Sequence, residues 1–330
     1  MPENHPSLQC MEVWGGNRAV ENGVTMPGLD VYVHARPAED HEAGGDVHYI
    51  SSCATGRIIR LMLADVAGHG QAAAETADSL RTLMRRFINR LDQGEAVASM
   101  NRAFARADHD GRFATALLGT FWTPTGELCL CNAGHPRPLL YRHARKAWSI
   151  LDALAHLPAP STPPTPTHTQ PHADHRADLD PVDLPLGIED AARYRQGSIR
   201  LAPNDLVILY TDSLTESRLP DGSLLGEQGL LKAAGAIDSP DPRRAATTLL
   251  QNLESLGAHV TDDLTLIVLS PNGLAPRLSL AERARVLSRI LGSLFGADRA
   301  LLPETSRPVF GGFFLNALNR TWNPSRSPRK

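Results

Sequence analysis

Acidic residues of this 330-residue chain recur in one local setting, beside a turn or at the end of an apolar run. Asp46 follows two glycines in AGGDVHY, Asp65 closes IIRLMLAD ahead of VAGHG, Asp212 closes LVILYTD, and Asp262 and Asp263 open DDLTLIVLS. Any one of them reads as a helix cap or a turn former. A convergent set is a different object, because clustered carboxylates repel and raise one another's pKa unless a cation neutralises them. Hard oxygen ligands of this kind suit Mg²⁺ or Mn²⁺ rather than zinc or copper. The sequence has no Gly-x-Ser-x-Gly elbow, no P-loop and no Gly-x-Gly-x-x-Gly after a strand, so serine-nucleophile, nucleoside-triphosphate and dinucleotide chemistry lack support. Metal-activated hydrolysis remains, although the pattern alone does not establish that the acids meet.

Elements to position these acids are legible around them. Residues 29 to 65 read as three β-segments, LDVYVHA, DVHYISSC and RIIRLMLAD, separated by glycine-containing turns. From Gln71 to about Leu91 the apolar residues Ala74, Ala77, Leu80, Leu83, Met84 and Phe87 recur three or four apart, and a second helical stretch runs from Glu95 to about Ala107. Strand signals return in TALLGTFW, ELCLCNAG and PLLYR, which read as a meander with TPTG as its first turn. Further strands follow in YRQGSIRL and DLVILYTD, then helical patterns around 226 to 256, and DDLTLIVLS ends near Ser270. Sheet, helices, sheet, helices and strand in that order fit an α+β class with helices layered on antiparallel sheets.

Between these elements lies a segment of another character. Residues 152 to 183 carry seven prolines, four histidines and few large apolar groups, so they read as a disordered insertion that cannot bury enough surface to order itself. Beyond Pro271, LSLAERARVLSRILGSLFG has a capping box, Ser279 with Glu282, and an apolar face through Ala284, Leu287, Ile290, Leu291 and Leu294. Residues 307 to 330 then bring five basic residues and no acid, beside Phe310, Phe313, Phe314 and Trp322. The reading is an N-terminal segment over 1–28, a domain over 29–270 holding the insertion at 152–183, and a helical extension with a basic tail over 271–330.

Composition narrows the partners. With 33 basic and 36 acidic residues, a net charge of −3 and 42% hydrophobic residues, the chain can build an ordinary core and offers no global electrostatic case for nucleic acid or an anionic membrane. No window approaches a membrane span and the N-terminus lacks a signal-peptide pattern, so a cytoplasmic location is expected. Cys129 and Cys131 alternate as strand residues do, without the second ligand pair that zinc sites use, and read as structural.

The segments GGDVHY, LADVAGHG, FATALLGTFWTPTGELCLCNAGHPRPLLYR, LPLGI, LYTDSLTES and DDLTLIVL stand in the order seen in the sporulation and stress-response (SpoIIE-type) branch of the PP2C-like (PPM) metal-dependent protein phosphatases. The chain resembles that branch from roughly residue 29 to 270, apart from the insertion. The resemblance implies an α/β/β/α sandwich of two antiparallel sheets flanked by helices, with two Mn²⁺ or Mg²⁺ ions at one end. It implies hydrolysis of phosphoserine or phosphothreonine in a regulatory protein, for which an anti-sigma-factor antagonist is the family precedent. Asp46 and Asp65 would be metal ligands, Asp65 bridging both ions and the Val66 carbonyl binding one. Asp212 and Asp262 complete the set, with Asp263 as the adjacent alternative or a third-metal group. His69 would be either a proton donor to the leaving oxygen or a structural hydrogen-bonding residue, and His135 a loop-ordering one.

Two departures from the branch stand out. Ser213 replaces the family glycine of TDG beside a metal ligand, and Ile50 stands where an aspartate often follows the aromatic of the GGD motif. They support an alternative reading, a weak or inactive phosphoprotein-binding regulator of the same fold. A signal would reach the domain through a partner, the 271–330 extension or a homodimer.

Overall fold

The computed structural model describes residues 11–38, 41–53, 56–88, 90, 92–107, 111–152 and 183–274. All lie in the first of two compact units, Met1–Pro276; the second, Arg277–Lys330, falls outside the described residues, as do the expected capping box at Ser279, the basic tail and nearly all of the proline-rich insertion.

Among the described residues, twelve strands form two antiparallel sheets of six. Strands β1 (Met11–Arg18), β4 (Ala43–Ser52), β5 (Ile58–Val66), β6 (Ala114–Trp122), β7 (Glu127–Ala133) and β10 (Gln196–Arg200) make the first sheet, in that spatial order. Strands β2 (Val20–Met26), β3 (Leu29–Arg36), β12 (Leu264–Ser270), β11 (Leu206–Tyr210), β8 (Leu139–Arg142) and β9 (Ala147–Ile150) make the second. Helices α1 (Gln71–Phe87) and α2 (Gln93–Arg106) cover the outer face of the first sheet, and α3 (Gly226–Ala234) and α4 (Pro242–Ser255) that of the second. This is the expected sandwich of two antiparallel sheets between helices.

Three apolar layers account for the architecture. Met62, Ala64 and Leu118 pack under Ala77, Leu80 and Met84 of α1 and Met100 and Phe104 of α2. Leu61, Leu63, Leu117 and Phe121 meet Val33, Leu209, Ile267 and Leu269 between the sheets. Ile208, Leu266 and Val268 then meet Leu230, Leu249 and Leu253 of the second helix pair. The alternation along β5 is decisive: Leu61, Leu63 and Asp65 face the opposite sheet, while Met62, Ala64 and Val66 face the helices. Both α2 and α4 start at side-chain caps, Asp92 accepting the Glu95 amide and Asp241 the Arg244 amide, each at 2.8 Å.

Three expectations need correction. The first strand lies at residue 11, not 29: β1 and β2 add one strand to each sheet within the segment read as preceding the fold. Gly15, Gly16 and Asn17 dilute the strand signal, and β1 is an edge strand with two register shifts. The meander also breaks, because β6 and β7 pair in the first sheet while β8 belongs to the second, the chain crossing over through 134–138. Finally, β9 was not anticipated. Cys129 and Cys131 fit the structural reading: both lie on β7, and burial pushes the Cys129 thiol up to about 12 and the Cys131 thiol higher still, against reactive thiolate. No helix among the described residues is long and apolar enough to cross a membrane.

Candidate functional site

Strand register brings the first two acids together. Asp46 and Asp65 are direct cross-strand partners of β4 and β5, and their shared face looks toward the second sheet. From that sheet come Asp212, which opens a 3₁₀ turn straight after β11, and Asp262 and Asp263, which immediately precede β12. Because β11 and β12 pair antiparallel, the end of one and the head of the other lie side by side. All five carboxyls expected from the sequence therefore gather at one end of the sandwich, two from one sheet and three from the other.

Their electrostatics show how close they come. Burial, followed by the charge of Asp65, holds the Asp46 carboxyl well above the usual carboxylate range. Asp65 is pushed up to about 8, first by burial, then by the charge of Asp212 and a hydrogen bond with it, and further by Asp262 and Asp263. The same interaction lowers the Asp212 carboxyl, which is nonetheless raised, chiefly by burial. Asp262 is exposed at the rim. Among the described residues no group of three or more His, Cys, Asp or Glu side chains is placed to hold a metal ion as it stands; the charges of Asp212, Asp262 and Asp263 that raise Asp65 put the acids within electrostatic reach of one another.

Two features fit a divalent cation. Asp46 is 5% exposed, and its Oδ2 accepts from the Thr211 hydroxyl at 2.8 Å while Oδ1 is buried with no hydrogen-bond partner. A buried carboxylate oxygen left unmatched in this way is costly unless something completes it. Second, a Cβ at Gly45 would stand 2.9 Å from the Val66 carbonyl oxygen and 3.4 Å from that of Gly68. The second glycine of the GGD motif thus leaves two carbonyl oxygens uncovered beside Asp46.

Several supporting residues escaped the sequence reading. The Thr211 hydroxyl donates to Asp46 and accepts the Thr265 amide at 2.9 Å, and the Thr211 amide donates to the Thr265 carbonyl at 3.1 Å, tying Asp46 to both β11 and β12. Asn17 of β1 donates to the Gly44 carbonyl at 3.3 Å and the Ala74 carbonyl at 3.1 Å, joining the start of β4 to α1. Glu216 lies four residues beyond Asp212, a spacing that could have signalled it, and the charge of Asp212 raises its carboxyl.

The histidines divide. His69 is exposed on the turn after β5, and no hydrogen bond or ion pair among the described residues holds its ring toward the acids. His135 is buried and pushed down to about 3 by that burial, with Nδ1 2.8 Å from Thr115 Oγ1, the cross-strand partner of Asp65. Asn132 brackets it, accepting its amide at 2.7 Å and donating to its carbonyl at 2.8 Å. Ser213 sits within the right-handed 3₁₀ turn Asp212–Leu214 and is absent from the positive-φ residues, so a serine in place of glycine strains the backbone no more than any other residue would.

Two antiparallel sheets between helix pairs, with acids converging at one end, define the PP2C-like phosphatase fold. Within it the chain belongs to the family described as Stage II sporulation protein E (SpoIIE), whose model matches residues 55–158 and 161–272. Asp46 lies outside the matched span and is brought to the others by strand pairing. The RsbU and RsbW domains of Rv1364c from Mycobacterium tuberculosis are 26% identical, with 84% of this chain and 71% of that chain covered and a TM-score of 0.59. The PP2C phosphatase domain of SpoIIE from Bacillus subtilis, solved with a fragment of its regulatory domain, is 15% identical, with 75% of this chain and 64% of that chain covered and a TM-score of 0.57. RsbX in complex with magnesium is 16% identical, with 77% and 100% covered and a TM-score of 0.51.

Proposed function

We propose that the chain is a metal-dependent protein serine/threonine phosphatase acting on a phosphorylated regulatory protein, with an anti-sigma-factor antagonist as the leading substrate class. The observation that carries this reading is the half-satisfied Asp46 carboxylate, one oxygen held by Thr211 and the other buried and unmatched, beside an Asp65 carboxyl that burial and the charges of Asp212, Asp262 and Asp263 hold well above the usual carboxylate range. Two Mn²⁺ or Mg²⁺ ions would supply an activated water and neutralise the charge of the phosphoryl group. Asp46 and Asp65 would hold them from the first sheet, Asp212 and Asp262 from the second, and the Val66 carbonyl would add a neutral ligand. Asp65, central among the acids, would bridge. Exposed His69 is free to swing toward a departing seryl or threonyl oxygen, whereas buried, neutral His135 orders the loop beneath. The inactive-binder alternative loses its main support, because Ser213 occupies a turn that any residue can adopt.

The test is hydrolysis of p-nitrophenyl phosphate and of a phosphoserine and phosphothreonine peptide panel with Mn²⁺, with Mg²⁺ and with chelator. Release that depends on cation and is lost in Asp65→Ala is expected. Release that persists in chelator, or is undiminished in Asp65→Ala, would refute the reading.

A further inference from the structure

Asp263 stands apart from its neighbours in how its oxygens are used, and we infer that it is a positioning residue and not a cation ligand: its carboxylate clamps the β3–β4 loop and the start of β4 to the head of β12 and so sets where Asp46 meets the acids of the other sheet. The inference rests on the proposed function above. Asp263 is 7% exposed, and the protein itself fills both oxygens, Oδ1 accepting the Ala38 amide at 2.6 Å and Oδ2 the Gly45 amide at 2.5 Å. Bonds from backbone amides to a carboxylate are charge-assisted and among the stronger hydrogen bonds. Asp46 shows the opposite pattern, one oxygen held and one bare.

The adjacent acids thus divide the work. Asp262 is exposed, accepts the Asp263 amide at 2.8 Å through Oδ1, and adds its charge at Asp65, Asp212 and Glu216. Asp263 turns inward. Its bond to Gly45 fixes the backbone one residue before Asp46, just as Thr211 fixes the Asp46 side chain. The motif glycines follow from this packing: a Cβ at Gly44 would overlap the Asp263 carboxyl group, and one at Gly45 would crowd the Val66 carbonyl. The start of β4 must present bare backbone to the clamp on one side and to the carbonyls on the other.

The test compares the full chain in chelator with the same protein after Mn²⁺ is returned. In chelator, the Ala38 and Gly45 amides should exchange with solvent slowly in the unmodified chain. In Asp263→Asn, where a donor replaces one acceptor, they should exchange about 10 to 100 times faster. Gly44→Ala displaces the same carboxyl without removing a charge; it should behave alike, and it serves if Asp263→Asn does not fold. With Mn²⁺ returned, the midpoint of cation-induced stabilisation should rise about tenfold or more in either variant, with the number of ions bound at saturation unchanged. Unaltered amide exchange, a midpoint equal to that of the unmodified chain, or the loss of one bound ion in Asp263→Asn would each overturn the inference. If Mn²⁺ has no effect on stability or hydrolysis in the unmodified chain, the proposed function fails instead, and the exchange rates alone judge the clamp.

Discussion

Replacing Asp65 by asparagine should make the chelated protein more stable while abolishing hydrolysis, an inversion that an ordinary core substitution does not give. Asp65 is pushed from an ordinary value near 3.8 up to about 8. A tenfold change in proton affinity is worth about 1.4 kcal/mol, so ionised Asp65 withholds at most roughly 6 kcal/mol from the folded state above that range. Because Asp65 titrates together with Asp46 and Asp212 through their charges, its own share of this figure is smaller. Even a third of it, about 2 kcal/mol, moves the melting temperature by roughly 4 to 8 °C in a domain of this size. The sign follows from the raised folded-state value. Folded Asp65 holds its proton more tightly than the unfolded chain does, so its favourable contribution is complete below about pH 4 and is lost as pH rises through about 8.

Asparagine carries no charge at any pH. In chelator, Asp65→Asn should therefore match the unmodified chain near pH 4 to 5 and exceed it at pH 8. Adding Mn²⁺ at pH 8 should reverse the order, because a cation at a hundred times its dissociation constant stabilises by about 2.7 kcal/mol only the protein that binds it. Thermal unfolding with and without cation across that pH range is the assay. If Asp65→Asn melts below the unmodified chain in chelator at pH 8, or gains as much from Mn²⁺, the acids do not form the repelling set described here.

Further outcomes follow from the supporting residues. Thr211→Val removes the hydroxyl that holds Asp46 Oδ2 and should weaken Mn²⁺ binding by about 10 to 100-fold, whereas Thr211→Ser should restore most of it; calorimetric titration measures both. His135 is pushed down to about 3, so its contribution to stability is present above the ordinary histidine range and fades as pH falls through 6.5 towards 3; His135→Phe should remove that part of the acid sensitivity, seen in urea midpoints between pH 4 and 7. Ser213→Gly restores the residue usual in the family within a right-handed turn. It should leave kcat within about threefold and cost up to about 1 kcal/mol of stability, and a gain in kcat of a hundredfold would show that Ser213 impairs the site.

Strand-end acids are conspicuous in linear text, because a charge that terminates an apolar run has few bland explanations once it recurs. Asp46, Asp65, Asp212 and Asp262 were legible for that reason, as were the central strands β5, β11 and β12, whose interiors are almost wholly apolar. Thr211 was not. A hydroxyl beside an aspartate is commonplace, and its meaning depends on β4 facing β11 across the sandwich, which no local pattern encodes. The β6–β7–β8 crossover was misread because the Gly-Pro composition that closes a hairpin also carries a chain from one sheet to the next. Asn17 was invisible on an edge strand interrupted by glycines. Asp263 could be found from sequence but not interpreted: neighbouring aspartates look alike until one is seen turned toward backbone amides and the other toward the rim.

Division of the acids between sheets also bears on why the site is costly to build. Asp46 and Asp65 share one sheet and Asp212 and Asp262 the other, so no single hairpin contains the site, and the acids meet only when the inter-sheet layer of Leu61, Leu63, Leu209 and Ile267 is closed. Burial of that apolar layer must therefore overcome the desolvation of the acids at its end and, after it, their mutual repulsion, which together raise the Asp46 and Asp65 carboxyls. A cation bound there would turn the same contacts from opposing closure to favouring it, coupling metal affinity to inter-sheet packing. The groups that hold the geometry without carrying net charge to the centre, Thr211, Asn17 and the amides of Ala38 and Gly45, lie where the two sheets or their loops meet, because that junction is where the repulsion acts.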